Sequence, residues 1–176
     1  MALTADSAHH EQQTRLRCAL HAVNALINAA PYFTASEFDA FAADIDAREA
    51  AMSIRSFFSP HKLTLLGNWS LEVILAALQA RSLTAVHYPS KGAGAPDGPE
   101  IVGFLLNRVS TGVARIFGGR HWLALRRLNT GWFDFDSNLP TPRCIGSTSE
   151  VLALLLKEPE STHVLCVSKL GGLGAS

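Results

Sequence analysis

Apolar residues recur at helical spacing in four segments of the chain. Within residues 14–29, Leu16, Leu20 and Val23 fall on one stripe, as residues do on the buried side of a helix. Because proline lacks the backbone N–H that a helix needs, we expect Pro31 to end this segment. The same spacing predicts further helices over residues 34–50, 70–81 and 148–157.

The second half of the chain favours strands. They are predicted over residues 83–88, 113–117, 121–128, 132–136 and 163–169, and residues 101–107 are either a short helix or a strand. Asn129-Thr130-Gly131 joins two of these strands with residues typical of a hairpin. Because the helices come mostly first and the strands mostly last, the order predicts an α+β domain with a sheet of about five strands and helices packed beside it.

The composition narrows the function classes. A length of 176 residues fits one domain, and the 15 basic residues equal the 15 acidic ones. A balanced charge argues against nucleic-acid binding through phosphate neutralisation. No apolar run approaches the ~20 residues of a membrane span, and the start of the chain has no secretory pattern. Three scattered cysteines indicate a reducing, intracellular location in the cytoplasm or nucleus, without a disulfide or metal framework.

Cys18 lies at or near the predicted start of the first helix, with Arg15 and Arg17 beside it. The free amides and the dipole at a helix start favour a thiolate, which is the nucleophilic form of cysteine. A buried structural residue is nevertheless the commoner role of a free cysteine. The assignment of Cys18 as a nucleophile therefore depends on partners elsewhere in the chain.

His121 is the candidate base for such a thiolate. It opens the apolar strand 121–128 directly after a turn at Gly118-Gly119-Arg120. A side chain at the start of a strand beside a glycine turn can face a cleft. The alternative role of this residue is a capping or surface histidine.

Asp136 is the candidate for the third group that holds the imidazole of a cysteine–histidine pair. If Asn129-Thr130 is a two-residue turn, His121 opposes Asn138 and Asp136 is a diagonal neighbour on the same face. A three-residue turn would place His121 and Asp136 on opposite faces unless a bulge intervenes. Asp134 shares the face on parity but lies further from His121 along the strand.

Gln13 lies five residues before Cys18. An amide at this distance can donate to a developing oxyanion beside the backbone N–H of the cysteine. On spacing alone, an exposed glutamine is the commoner reading.

Together these segments resemble the Josephin domain, a papain-like cysteine protease module that acts on ubiquitin. The resemblance covers residues 9–169, which leaves 1–8 and 170–176 as expected flexible termini. It includes two segments, SPHK and LLGN, that are more similar to the short stand-alone Josephins than to the long type. The matching segments are HEQQ (10–13), CALHAVNAL (18–26), SPHK (59–62), LLGN (65–68), VILAALQ (73–79), HWLALR (121–126) and WFDFDS (132–137).

The resemblance implies thiol-dependent hydrolysis of isopeptide or peptide bonds at the ubiquitin C-terminus, without a metal or cofactor. Cys18 matches the nucleophile, His121 the general base and acid, and Asp136 the residue that orients the histidine. Gln13 matches a member of the oxyanion hole. The long family type has asparagine at the position of Asp136. An aspartate there favours an imidazolium, and we therefore expect a thiolate–imidazolium pair.

The resemblance also implies a papain-like fold with an antiparallel sheet and a helical arm. Residues 46–66 are the expected arm, which would be mobile and gate the cleft. Ubiquitin contacts are implied at Leu71 and Glu72 on the third helix, and at Trp122. Arg81 stands where the family has an aromatic residue, and we expect a weaker ubiquitin-binding surface for that reason.

Two other functions remain open at this stage. A ubiquitin-binding module with weak or no turnover would bind ubiquitin without covalent capture at Cys18. A different cysteine hydrolase or acyltransferase would act on a small amide or thioester whether or not ubiquitin is present. The expected partners are ubiquitin and ubiquitinated proteins, and the oligomeric state is left open.

Overall fold

The computed structural model describes residues 8–12, 17–51, 62–63, 68–89, 98–110 and 119–171. The helices in these ranges are α1 (Cys18–Ile27), α2 (Ala35–Ala51), α3 (Leu71–Gln79) and α4 (Thr148–Leu156). The strands are β1 (Lys62–Leu63), β2 (Asn68–Trp69), β3 (Leu83–His87), β4 (Ile101–Val109), β5 (Arg120–Leu128), β6 (Gly131–Asp134), β7 (Arg143–Gly146) and β8 (His163–Lys169). The strand predicted over residues 113–117 and most of both expected flexible termini lie outside the described residues.

Six strands form one antiparallel sheet in the order β3-β8-β4-β5-β6-β7. The last strand of the chain, β8, lies between β3 and β4, whereas β4 to β7 follow one another. The prediction of an α+β domain with an antiparallel sheet is confirmed, and 101–107 is a strand. The sheet has one strand more than expected because β7, with the sequence Arg-Cys-Ile-Gly, lacks a period-two apolar pattern.

The β5–β6 hairpin has the two-residue turn, one of the two alternatives left open by the sequence. Leu128 pairs with Gly131, and the pairing continues past β6, where the Phe135 N–H donates to the Ala124 carbonyl over 2.8 Å. Gly131 has a φ of +132°, and a Cβ there would lie 2.6 Å from the Gly146 carbonyl oxygen. The turn and the approach of β7 both therefore require glycine at this position.

The sheet buries side chains on both of its faces. Along β4, Leu105 joins the core under α1, α2 and α3, while Phe104 and Leu106 join the core under α4. This alternation follows from the opposite directions of successive side chains in a strand. Helix α1 packs on β5 and is buried from Cys18 to Leu26. It is the central helix of the domain, so its first residue lies inside the protein.

The ends of α1 differ in how well the sequence predicted them. The helix begins at Cys18, as expected. It ends before Pro31, because Asn28 adopts a left-handed conformation and its N–H donates to the Asn24 carbonyl over 2.9 Å. The prediction that Pro31 ends the helix is wrong: the left-handed residue at the C-terminus ends it first.

The expected arm at 46–66 is described only in part. Residues 46–51 form the last turns of α2, and the backbones of β1 and β2 pair as a separate two-stranded ribbon, with Lys62 opposite Trp69. The rest of the arm, 52–61 and 64–66, lies outside the described residues. Among the helices of the described ranges, none combines the length and apolar character needed to cross a membrane.

Candidate active site

Cys18 is the first residue of α1 and is 3% exposed. The preceding residue, Arg17, takes the N-cap position, and its side chain does not cap the helix. The first backbone N–H groups of α1 therefore receive no hydrogen bond acceptor from the Arg17 side chain. The positive end of the helix dipole lies at Cys18.

His121 and Asp136 lie side by side at one end of the β5–β6 hairpin. The imidazole Nε2 of His121 is 2.6 Å from Asp136 Oδ1, a distance typical of a charge-assisted hydrogen bond. The side chain of Cys18 lies beside His121 as well, close enough for its thiol to raise the pKa of His121. The structure thus brings together the three residues that the sequence singled out, from positions 18, 121 and 136.

Electrostatics favour the protonated form of His121. Burial of the ring alone would lower the pKa of His121, but hydrogen bonds to Asp136 and Cys18 and the negative charges of these two groups raise the pKa from 6.5 to about 9. A pKa of about 9 lies above neutral pH, so these contacts favour the imidazolium form of the ring.

Asp136 is kept ionised by the same contacts. Burial alone would raise the pKa of Asp136, but hydrogen bonds from His121 and from the Asn138 backbone N–H, at 2.9 Å, outweigh it. The positive charges of His121 and Arg108 add to this effect, and the pKa of Asp136 lies below its ordinary value. The carboxylate can therefore act only as a hydrogen-bond acceptor for His121 at neutral pH.

Asp134, the other carboxylate on this face by parity, does not contact His121. It is 2% exposed, accepts the Asp136 backbone N–H over 3.0 Å and forms an ion pair with Arg143 of β7 at 2.7 Å. Burial raises the pKa of Asp134, and the charge of Arg143 opposes this increase. Asp134 therefore holds the backbone of Asp136. The sequence missed its partner Arg143 because β7 carries no strand pattern.

Gln13, the expected oxyanion-hole residue, lies outside the described residues. The segment just before it is tied to α1 by a carboxylate between two histidines. Glu11 places one oxygen 2.8 Å from His9 Nε2 and the other 2.5 Å from His21 Nδ1. His21 is one turn after Cys18, so this cluster fixes the approach of the N-terminal segment to the start of α1.

The same segment also reaches the loop that follows Asp136. His10 Nε2 lies 2.9 Å from the Leu139 carbonyl oxygen, and the ring of His10 is tilted against Phe135, with 6.1 Å between ring centroids. Residues 8–12 therefore bridge the cysteine side and the histidine side of the site. Sequence spacing did not indicate this bridge, because its partners lie up to 129 positions apart.

The implied ubiquitin contacts differ in accessibility. Leu71 and Glu72 are exposed at the start of α3. Leu71 is 39% exposed, and Leu75, four residues later on the same side, is 37% exposed. Trp122 is only 5% exposed and packs in the core under α1. A substrate contact of Trp122 is thus limited to a narrow edge of its side chain.

The described part of the chain contains no group of three or more His, Cys, Asp or Glu residues arranged to hold a metal ion. All three cysteines are free: Cys144 is exposed, and Cys18 and Cys166 are buried. Burial raises the pKa of the Cys166 thiol to about 11. Cys18 is therefore set apart from the other two thiols by its contact with a histidine.

Comparison with known proteins identifies the family. The Josephin family model matches residues 12–168. A Josephin-like protein of Drosophila melanogaster is 34% identical over 164 residues, covering 89% of this chain and 71% of that protein. Josephin-2 of Homo sapiens is 32% identical over 155 residues, covering 85% of this chain and 78% of that protein.

The search of solved structures returned the catalytic domain of Trichinella spiralis UCH37 bound to ubiquitin vinyl methyl ester. The match has 14% sequence identity and a TM-score of 0.38, and it covers 92% of this chain and 64% of the UCH37 chain. The family match over residues 12–168 is the deciding observation, and the chain belongs to the Josephin family.

Proposed function

We propose that this protein is a thiol-dependent deubiquitinase that hydrolyses the bond after the C-terminus of ubiquitin. The observation that carries the proposal is the chain of contacts from Cys18 through His121 to Asp136. A thiol at a helix start, an imidazolium and an ionised carboxylate in this order are the parts of a cysteine hydrolase. Membership of the Josephin family directs that chemistry to ubiquitin.

In the proposed reaction, the Cys18 thiolate attacks the carbonyl carbon of the terminal ubiquitin glycine. His121 then donates its proton to the departing lysine amine, and a thioester between ubiquitin and Cys18 remains. In the second half, His121 removes a proton from water, the resulting hydroxide attacks the thioester, and the Cys18 thiolate leaves. Asp136 keeps the imidazole oriented in both halves and stabilises the imidazolium.

The developing oxyanion would be stabilised by the backbone N–H of Cys18 at the start of α1 and by Gln13, as the family resemblance implies. Glu11, His9 and His21 support this arrangement because their contacts fix the segment that leads to Gln13. Leu71 and Leu75 offer adjacent apolar side chains on α3 for ubiquitin.

The test is reaction of the purified protein with ubiquitin that carries a C-terminal electrophile. We expect a covalent adduct of one ubiquitin per chain for the natural protein, and no adduct for Cys18→Ala. The matched control is Cys144→Ser, which removes the exposed free thiol and should react as the natural protein does. Mass spectrometry of the peptide that contains Cys18 identifies the site of attachment.

The alternatives predict different results in the same experiment. Binding of ubiquitin without an adduct, unaltered in Cys18→Ala, would support a binding module. Hydrolysis of a small thioester with no response to ubiquitin would support a different cysteine hydrolase. Either result would contradict the deubiquitinase proposal.

A further inference from the structure

Asn138 contacts both members of the His121–Asp136 pair. Its side-chain Nδ2 lies 3.1 Å from His121 Nε2, and its backbone N–H donates to Asp136 Oδ1 over 2.9 Å. The turn after β6 accounts for this position, because the chain leaves the strand pairing after Phe135 and bends over residues 136–139. The Leu139 N–H donates to the Asp136 carbonyl over 2.9 Å and turns the chain back at this point.

Two side chains therefore compete for one ring atom. Nε2 carries a single hydrogen in the imidazolium, and the ionised Asp136 can only accept it. The amide of Asn138 can present its oxygen to the same hydrogen, because its two ends are close in size and differ only in donor and acceptor character. With Oδ1 turned into the place of Nδ2, the hydrogen on Nε2 would be shared between the carboxylate at 2.6 Å and the amide at 3.1 Å, as a three-centre hydrogen bond.

We infer that Asn138 is a second positioning residue for His121, acting beside Asp136 on the same ring nitrogen. The inference rests on the proposed function. An amide is chemically sufficient for this role, since Cys-His-Asn arrangements operate in papain-like proteases. Asn138 is exposed, so truncation of its side chain leaves no internal cavity and affects mainly the ring of His121.

The decisive comparison is the effect of Asn138→Ala with and without Asp136. In the natural background we expect kcat/KM on a ubiquitin C-terminal fluorogenic amide to fall about threefold to tenfold, the effect of one hydrogen bond. In an Asp136→Ala background the same substitution should reduce the remaining rate by a clearly larger factor, because Asn138 then holds the ring alone. The loss should lie in kcat, with KM little changed, because Asn138 acts through His121.

A gain of function provides the second readout. Asp136→Ala combined with Asn138→Asp should be several-fold more active than Asp136→Ala alone, because a carboxylate again faces Nε2. The matched control is Asn129→Ala, an exposed asparagine in the turn at the other end of the same hairpin, which should leave kcat/KM unchanged. Urea unfolding should give the Asn138 variants the same free energy of unfolding as the Asn129→Ala control.

A ubiquitin-independent readout separates failure of the inference from failure of the proposed function. In a Cys144→Ser background, the pH profile of Cys18 alkylation by iodoacetamide reports on the Cys18–His121 pair. We expect Asn138→Ala to shift this profile, more so when Asp136 is also replaced. Equal small effects in both backgrounds, no rescue by Asn138→Asp and an unchanged alkylation profile would overturn the inference. Shifts in alkylation without any ubiquitin cleavage would instead uphold the role of Asn138 and reject the deubiquitinase.

Discussion

Replacement of Asp136 by asparagine should make the stability of the protein less dependent on pH between 6.5 and 9. The substitution keeps the shape of the side chain and removes its charge. It therefore removes the charge attraction to the imidazolium of His121, while an amide oxygen can still face Nε2, 2.6 Å away in the natural protein. Because burial by itself lowers the pKa of His121, the pKa should fall by at least about one unit in the variant.

The size of the effect follows from the pKa of His121 in the fold. A change from 6.5 to about 9, at 1.36 kcal/mol per unit, corresponds to about 3 kcal/mol of preferential stabilisation of the imidazolium. The folded pKa lies above the unfolded one, so this contribution is complete below pH 6.5 and is lost as the pH rises towards 9. The natural protein should therefore lose up to about 3 kcal/mol of unfolding free energy from this group across that range. Over the same pH range, the unfolding free energy of Asp136→Asn should fall by at least about 1 kcal/mol less than that of the natural protein, because the pKa of His121 is lower in the variant.

Urea unfolding at half-unit pH intervals from 6 to 9.5 measures the difference. The two proteins differ only at position 136, so the gap between the two curves isolates the contact of Asp136 with His121. A control is Asp44→Asn, which removes an exposed carboxylate from the pair with Arg48 on α2 and should leave the pH dependence as it is. Parallel curves for the natural protein and Asp136→Asn would refute the assignment of the raised pKa to this contact. A titration of the His121 ring by NMR gives the pKa directly.

Three further predictions concern the stability of the scaffold, each measured by urea unfolding at pH 7. Asn24→Ala should lower the free energy of unfolding by about 2–4 kcal/mol, because the buried Asn24 amide bonds both the N–H and the carbonyl of Phe33 at 2.9 Å and its removal leaves both groups unpaired. A loss below about 1 kcal/mol would contradict this. Gly131→Ala should lower the free energy of unfolding by about 1–3 kcal/mol, because φ at this position is +132° and the new Cβ would meet the Gly146 carbonyl. An unchanged urea midpoint would show that the turn adjusts freely. Ser147→Ala should lower the free energy of unfolding by about 1 kcal/mol, because it removes the capping box of α4. Ser147→Thr keeps a capping hydroxyl and should lower it less.

Local patterns predicted those features whose partners are close in sequence. The start of α1 at Cys18 follows from the apolar stripe that begins there. The hairpin at Asn129-Thr130-Gly131 follows from its residue types, whereas the structure supplies its two-residue turn, which places His121 and Asp136 on one face. Each of these features depends on residues within a few positions of each other, where backbone geometry leaves few alternatives.

Features that depend on distant pairing did not appear in the patterns. Arg143 lies in a strand with no alternating apolar residues, yet its ion pair with Asp134 decides which carboxylate is left for His121. The contacts of His10 and Glu11 join the N-terminal segment to both sides of the site. Sequence spacing could not indicate them, because polar contacts of this kind follow from the packing of whole elements.

The sequence by itself determined the residue types of the site, the helix start that carries Cys18 and the hairpin that carries His121 and Asp136. Only the structure decided that the hairpin turn has two residues, that α1 packs on β5, which brings the sulfur to the imidazole, and that Asn138 lies beside Nε2. The physical reason is range: helix and turn preferences act over a few residues, whereas the meeting of positions 18 and 121 results from burial of a whole helix against a sheet.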